Sequence, residues 1–403
     1  MGNYLVEIST FFFVLSLFQQ LTGPILDYEW ASFDKYAIFI HHFLCIFTSV
    51  PSGPFDIDPN IFLHLAACHP TKMILFPQLR CFLMTGISLS SNRPFLSRVL
   101  TDVRLKLSSS KDDIYVDELL QYSREVSLLY LSGHISQRLL TILPKFSYIS
   151  KLQLFFSTPH SSEEIKLMPI AFARFIGGLN LFHSLTHLTL FMPPAFTCVL
   201  PNASLSTIKS VKIRGKISFI YQLLSYTRDL EFIGFYSTDL HPLQQEWLQC
   251  FGLFLRTSAS TLRTLVFGSA SHIQLDQIIH PLLQIHGLRS FQIIHHRTST
   301  MRVGDEDIKK MVDAWPSLEE FLLPTSSSCV FSELTLRSLN AFARLPNLRL
   351  LKVLVYGRVV RIPRDPFLVP VEVIETYEVI KTYEVIKTYM DLLFSQKQLC
   401  MLG

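Results

Sequence analysis

A short apolar line, Leu-x-x-Leu-x-Leu with conservative swaps, recurs along the chain and limits what it can fold into. It reads Leu185-Leu188-Leu190, Ile208-Val211-Ile213, Leu230-Ile233-Phe235, Leu262-Leu265-Phe267, Leu288-Phe291-Ile293, Leu318-Phe321-Leu323 and Leu348-Leu351-Val353, with starts 22 to 32 residues apart. Weaker copies precede these: Leu79-Phe82-Met84, Leu100-Val103-Leu105, Val126-Leu129-Leu131 and Ile149-Leu152-Leu154. Self-similarity at such a period indicates structural repeats that stack.

In Leu188-x-Leu190 the two apolar residues are two apart, so both point to one face of an extended segment. That face enters a core. A single short strand cannot bury it alone, and the next repeat must continue it. About eleven such strands are expected between residues 79 and 356. Helical stretches lie between them. Ile308, Met311, Val312 and Trp315 fall at i, i+3, i+4 and i+7, one helical stripe, and Pro316 stops the helix before Leu318. The same grammar runs from Thr335 to Leu345 before Pro346, and a further helix is expected from Glu164 to Gly178. One strand and one return helix per repeat predict an α/β leucine-rich-repeat solenoid. Such a horseshoe-like fold carries parallel strands on its concave side and helices on its convex side.

Composition agrees, with 49% apolar and 17% charged residues among 403. A chain this long would ordinarily split into domains, but the core of a solenoid grows along one axis. The division expected is an N-terminal, mostly helical segment at 1–75, repeats at 76–357, and an irregular tail at 358–403. The net charge of +4 is mild and no dense basic run occurs, which argues against nucleic acid as a partner. Seven cysteines, Cys45, Cys68, Cys81, Cys198, Cys250, Cys329 and Cys400, show no pairing rhythm. Reduced, mostly buried thiols in the cytoplasm or nucleus are expected.

Both ends of the chain stand apart. Residues 8–26 carry no charge beyond Glu7 at their edge, and Phe11 to Phe18 is strongly apolar. No Lys or Arg precedes Lys35 and no small-residue cleavage site follows, so a buried helix is favoured over a signal peptide. The alternative is a secreted or membrane-tethered repeat protein. At the other end Thr376 to Lys381 repeats immediately as Thr382 to Lys387. A six-residue step gives no good amphipathic helix, and a tandem duplication is favoured over an interaction tail.

Residues for catalysis, cofactor binding or metal binding were sought by pattern, and none is assigned. The glycine-rich phosphate loops and the nucleophile-elbow motif are missing from the sequence. The pairs His41-His42 and His295-His296 point to opposite sides of a strand and cannot chelate from one face. Asp305-Glu306-Asp307 opens a predicted helix, where carboxylates satisfy free N–H groups.

The residues between the strand leucines face away from the core and form the candidate partner-binding face. Thr189, Lys212, Gln292 and Lys352 belong to one predicted row, flanked by Phe191, Arg214, Tyr236 and Glu320. Seven strands span about 30 Å, enough for a folded protein. Aromatic and Arg anchors tend to dominate such binding.

Trp30 to Ala37, Ile57 to Leu65 and Phe76 to Arg80 resemble the region after the F-box in fungal F-box-type leucine-rich-repeat proteins. So do Asp305 to Ile308, Ala314 to Phe321 and Leu334 to Leu339. The resemblance covers roughly residues 24–356. It implies a substrate receptor of an SCF-type ubiquitin ligase, in which the F-box docks on the Skp1 adaptor and the repeats select a protein for ubiquitination. Only about 23 residues precede the matching region, and Leu5 to Ile8 alone is similar to a first F-box helix. Weak or no binding of Skp1 is therefore expected.

Overall fold

The structure, a computed structural model, describes residues 26–46, 68, 74–85, 95–157, 162–194, 196–201, 204–239, 244–269, 273–295, 301–323, 330–355 and 358–363. The apolar segment at 8–25 and the tandem copies at 376–389 lie outside them. The chain divides into two compact units, Met1–Pro193 with Cys198–Thr207, and Pro194–Thr197 with Ile208–Gly403.

The first unit begins with α1 (Asp27–Ala37) and β1 (His42–Ile46), followed by β2 (Cys81–Thr85) and β3 (Asp102–Leu107). Then come α2 (Asp113–Tyr122), β4 (Leu128–Gly133), α3 (Gln137–Ile142), β5 (Lys151–Phe156), α4 (Ser162–Gly177) and β6 (His187–Phe191). Strands β1 to β6 pair in parallel in chain order. The register aligns the apolar template: Phe82, Val103, Leu129, Leu152 and Leu188 form one row, and Met84, Leu105, Leu131, Leu154 and Leu190 another. Leu188 and Leu190 are buried. The sequence placed the first strand at Leu79, but β1 precedes it. It pairs with β2 over five residues, and Phe43 stacks on Phe82 and packs on Phe95.

The second unit runs β7 (Ser210–Gly215), α5 (Ile217–Ser225), β8 (Phe232–Ser237), α6 (Gln244–Ser258), β9 (Thr264–Ser269), β10 (Ile273–Gln274), α7 (Leu275–Leu282) and β11 (Ser290–His295). It continues through β12 (Met301–Gly304), α8 (Asp305–Ala314), β13 (Glu320–Leu322), β14 (Val330–Glu333), α9 (Leu336–Ala343), β15 (Leu350–Val355) and β16 (Arg358–Pro363). Strands β7, β8, β9, β11, β13 and β15 pair in parallel in that order, and β16 closes antiparallel on β15. Each unit is thus α/β with an open sheet of parallel strands. In the second unit β10, β12 and β14 form a separate short parallel sheet, and each of its strands precedes a helix, β10 and β12 directly and β14 after two residues. This sheet was not expected from the sequence, because segments of two to four residues carry no readable period.

Phenylalanine replaces leucine in much of the second core. Phe235, Phe267, Phe291 and Phe321 follow one another from strand to strand, with centroids 5.9, 5.7 and 5.5 Å apart; the outer two pairs are stacked and the middle pair meets edge to face. Trp315 packs 4.8 Å from Phe291, and its ring N–H donates to the Leu282 carbonyl at 3.2 Å, so the buried indole is satisfied. The predicted stripe on α8 is the buried one: Ile308, Met311, Val312 and Trp315 all lie in the core.

The first x of each template copy holds the strand starts together. In the first unit the N–H of Thr101, Ser127, Ser150 and Thr186 each donates to the carbonyl of the equivalent residue one repeat earlier, at 2.8 to 2.9 Å. Their hydroxyls reach the same carbonyls at 3.2 to 3.3 Å. In the second unit the same backbone ladder runs through Lys209, Glu231, Arg263, Arg289, Glu319 and Arg349. There the side chains are charged, and Glu319 lies 3.5 Å from Arg289 and 4.0 Å from Arg349.

Candidate protein-binding face of the sheets

Because side chains alternate along a strand, every core residue has an outward neighbour. The register brings Lys212, Gly234, Val266, Gln292, Leu322 and Lys352 into a single row across the second unit. Arg214 and Tyr236 lie in the row on one side, and Ser290 and Glu320 in the row on the other. Lys212, Arg214 and Glu320 are exposed, while Tyr236, Gln292 and Lys352 are half-buried. Glu320 accepts a hydrogen bond from the Ser290 hydroxyl at 2.8 Å.

Two cations sit on two rings. The Lys212 amine lies 5.1 Å from the centre of the Phe232 ring, and the Arg214 guanidinium 5.3 Å from that of Tyr236. Glycines let these groups lie flat. A Cβ on Gly234 would stand 3.0 Å from the Phe232 ring and 3.3 Å from the Lys212 stem. On Gly268 it would stand 2.8 Å from the Tyr236 ring and 2.3 Å from the Ile294 carbonyl oxygen. Partial burial pushes the Tyr236 hydroxyl up from its ordinary value, and Arg214 only partly opposes this. The phenol therefore stays protonated at neutral pH and can donate.

The first unit presents a different face. Tyr130, Phe155 and Phe191, on β4, β5 and β6, form a half-buried run of outward rings with centroids 4.8 and 4.4 Å apart. Arg104 is tied to Asp102 by two bonds of 3.1 and 2.9 Å. Burial and the neighbouring Asp102 push up the thiol of Cys81, the register partner of Asp102 on β2. Thr189 is oriented as expected but is only 8% exposed, so it offers little to a partner. Its short side chain lies between His187 and Phe191 on its own face and opposite the longer Gln153.

Sequence reasoning named Phe191, Lys212, Arg214 and Tyr236 but passed over Tyr130, Phe155, Phe232 and Gly268. Their outward parity was readable. Which rings meet was not, since contacts between strands depend on register.

The acidic triplet behaves differently from expectation. Asp307 accepts from the Gly304 N–H at 3.0 Å and does cap α8. Asp305 instead serves the next repeat, accepting from the Thr335 N–H at 2.8 Å, the Thr335 hydroxyl at 2.5 Å and the Ser338 hydroxyl. Among the described residues no three His, Cys, Asp or Glu side chains converge as a metal site would require, and no helix is long and apolar enough to cross a membrane. Among the cysteines, Cys250 is buried, Cys81 and Cys198 are half-buried and Cys68 is exposed. The chain matches no protein-family model and no curated protein.

Proposed function

We propose that the chain is a leucine-rich-repeat scaffold that binds a protein partner on the outward faces of its parallel strands and has no catalytic activity of its own. The observation that carries this reading is the in-register arrangement of outward rings and cations. Tyr130, Phe155 and Phe191 supply it in one unit, and Lys212, Arg214, Phe232 and Tyr236 in the other. Rings and Arg side chains held in place before binding lose little freedom on contact and serve as anchors. The resemblance to F-box proteins makes the partner a ubiquitination substrate, and the unpaired cysteine pattern favours the cytoplasm or nucleus.

Affinity purification of the tagged chain from its native cell, with mass spectrometry, tests this. A protein captured reproducibly and bound directly by the purified chain supports the scaffold reading. Co-purification of Skp1 and a cullin would tie it to a ligase. Direct partners whose binding survives substitution of the outward residues of both units would overturn it.

A further inference from the structure

The outward cations of the second unit are not balanced where they stand. Strand β7 and its ends carry Lys209, Lys212, Arg214 and Lys216 within eight residues. Lys209 has Glu231 as its neighbour in the strand-start ladder. At the far end, the Asp239 carboxylate is occupied by the Ile217 N–H at 2.7 Å and by Ser237. Between them, Lys212 and Arg214 form no ion pair with any described residue, whereas Arg104, Arg138, Arg289 and Arg344 all do. The outward positions of β8, β9 and β11 are Phe232, Gly234, Tyr236, Thr264, Val266, Gly268, Ser290, Gln292 and Ile294, none of them acidic. Glu320 lies on β13, four strand steps from β7 or about 19 Å. That is beyond two screening lengths of about 8 Å at physiological salt.

The geometry is also fixed in advance. Lys212 and Arg214 are two residues apart on one strand, so their stems leave the sheet about 6.6 Å apart. Each is seated on a ring that lies down over or beside a glycine. Carboxylates two apart on an extended chain have the same repeat.

We propose that Lys212 and Arg214, seated on Phe232 and Tyr236, take an extended acidic segment of the partner protein, with two carboxylates two residues apart. This rests on the reading of the outward face as a protein-binding surface. It adds the chemical class of the ligand and the strand that reads it. Each carboxylate meets one cation, and intervening apolar side chains lie on the two rings.

The test uses the full chain and fluorescent ten-residue peptides in which Glu alternates with Val. Control peptides carry Gln in place of Glu, or the same residues with the Glu moved to adjacent pairs. Anisotropy should show the alternating-Glu peptide binding about tenfold or more tightly than the Gln peptide, as expected when charge pairs give specificity. It should weaken as salt rises. K212E/R214E should abolish the preference and K212Q/R214Q should reduce it, with circular dichroism unchanged because both side chains are exposed. Equal binding of the Glu and Gln peptides would overturn the proposal, as would a preference that survives the charge reversal. Tighter, patch-dependent binding of a single-stranded RNA of similar length would also overturn it. If the peptides fail while a partner captured from cells still loses affinity on substitution of Tyr130 and Phe191, the acidic-segment inference falls and the protein-binding reading stands.

Discussion

Gly252 lies in the middle of α6 with nothing within 4 Å of where a Cβ would stand. An alanine there removes backbone freedom from the unfolded chain and meets no neighbour. G252A is expected to stabilise the protein by about 0.5–1 kcal/mol, read as a raised midpoint in thermal unfolding. Gly268 is the opposite case. Its Cβ would strike the Ile294 carbonyl oxygen at 2.3 Å, and G268A should destabilise by about 1–3 kcal/mol. Leu190 is fully buried, and Leu190→Asp should cost about 3 kcal/mol or more by leaving a charge without a partner. Cys250 makes a chemical prediction. Burial, with Glu246 adding to it, pushes its thiol up to about 12. At pH 8 it holds almost no thiolate, so iodoacetamide should label exposed Cys68 and spare Cys250 until the protein unfolds, as peptide mapping would show. The burial of Leu190 was legible, since it follows from strand parity. The difference between Gly252 and Gly268 was not, since it depends on what approaches from another strand.

At the scale of elements, successive repeats are joined by carboxylates at helix starts. Asp305 at the start of α8 binds Thr335 and Ser338 at the start of α9, and Asp113 at the start of α2 accepts from Ser136, which caps α3. Burial alone would raise the Asp305 carboxyl. The bonds from Ser338 and Thr335, with Arg337 nearby, outweigh it and leave the group below its ordinary 3.8. A depressed folded value means that the ionised form is the stabilising one. Its contribution is present above 3.8 and is lost as pH falls through the lower folded value. D305A should destabilise by about 1–3 kcal/mol at pH 7, because the Thr335 N–H and two hydroxyls lose their acceptor. The difference from the native protein should shrink in acid. Amide exchange in α9 should speed up selectively, and unchanged exchange there would remove Asp305 as a brace. The triplet was readable as a helix start from local rules alone. That one carboxylate would turn 30 residues ahead to Thr335 was not, because the neighbour is supplied by stacking.

Over the whole molecule, the partner-binding reading has a direct check. Once a partner is in hand, K212E and R214E combined with Tyr236→Ala should lower its affinity about tenfold or more in calorimetry, with circular dichroism unchanged, as loss of anchor residues does. Unchanged affinity would take the second unit's outward face out of consideration. The repeated apolar line by itself determined that there would be parallel strands, which residues would be buried, and which helical stripe would face the core. These follow from the two-residue and 3.6-residue periods, which are properties of the local backbone. The packing of the structure decided the rest: the extra strand β1, the short sheet of β10, β12 and β14, the burial of Thr189, and the rings lying over or beside Gly234 and Gly268. Each of these depends on register between segments some 20 to 40 residues apart in sequence. Register is set by the packing of whole repeats on one another and has no signature within any one of them.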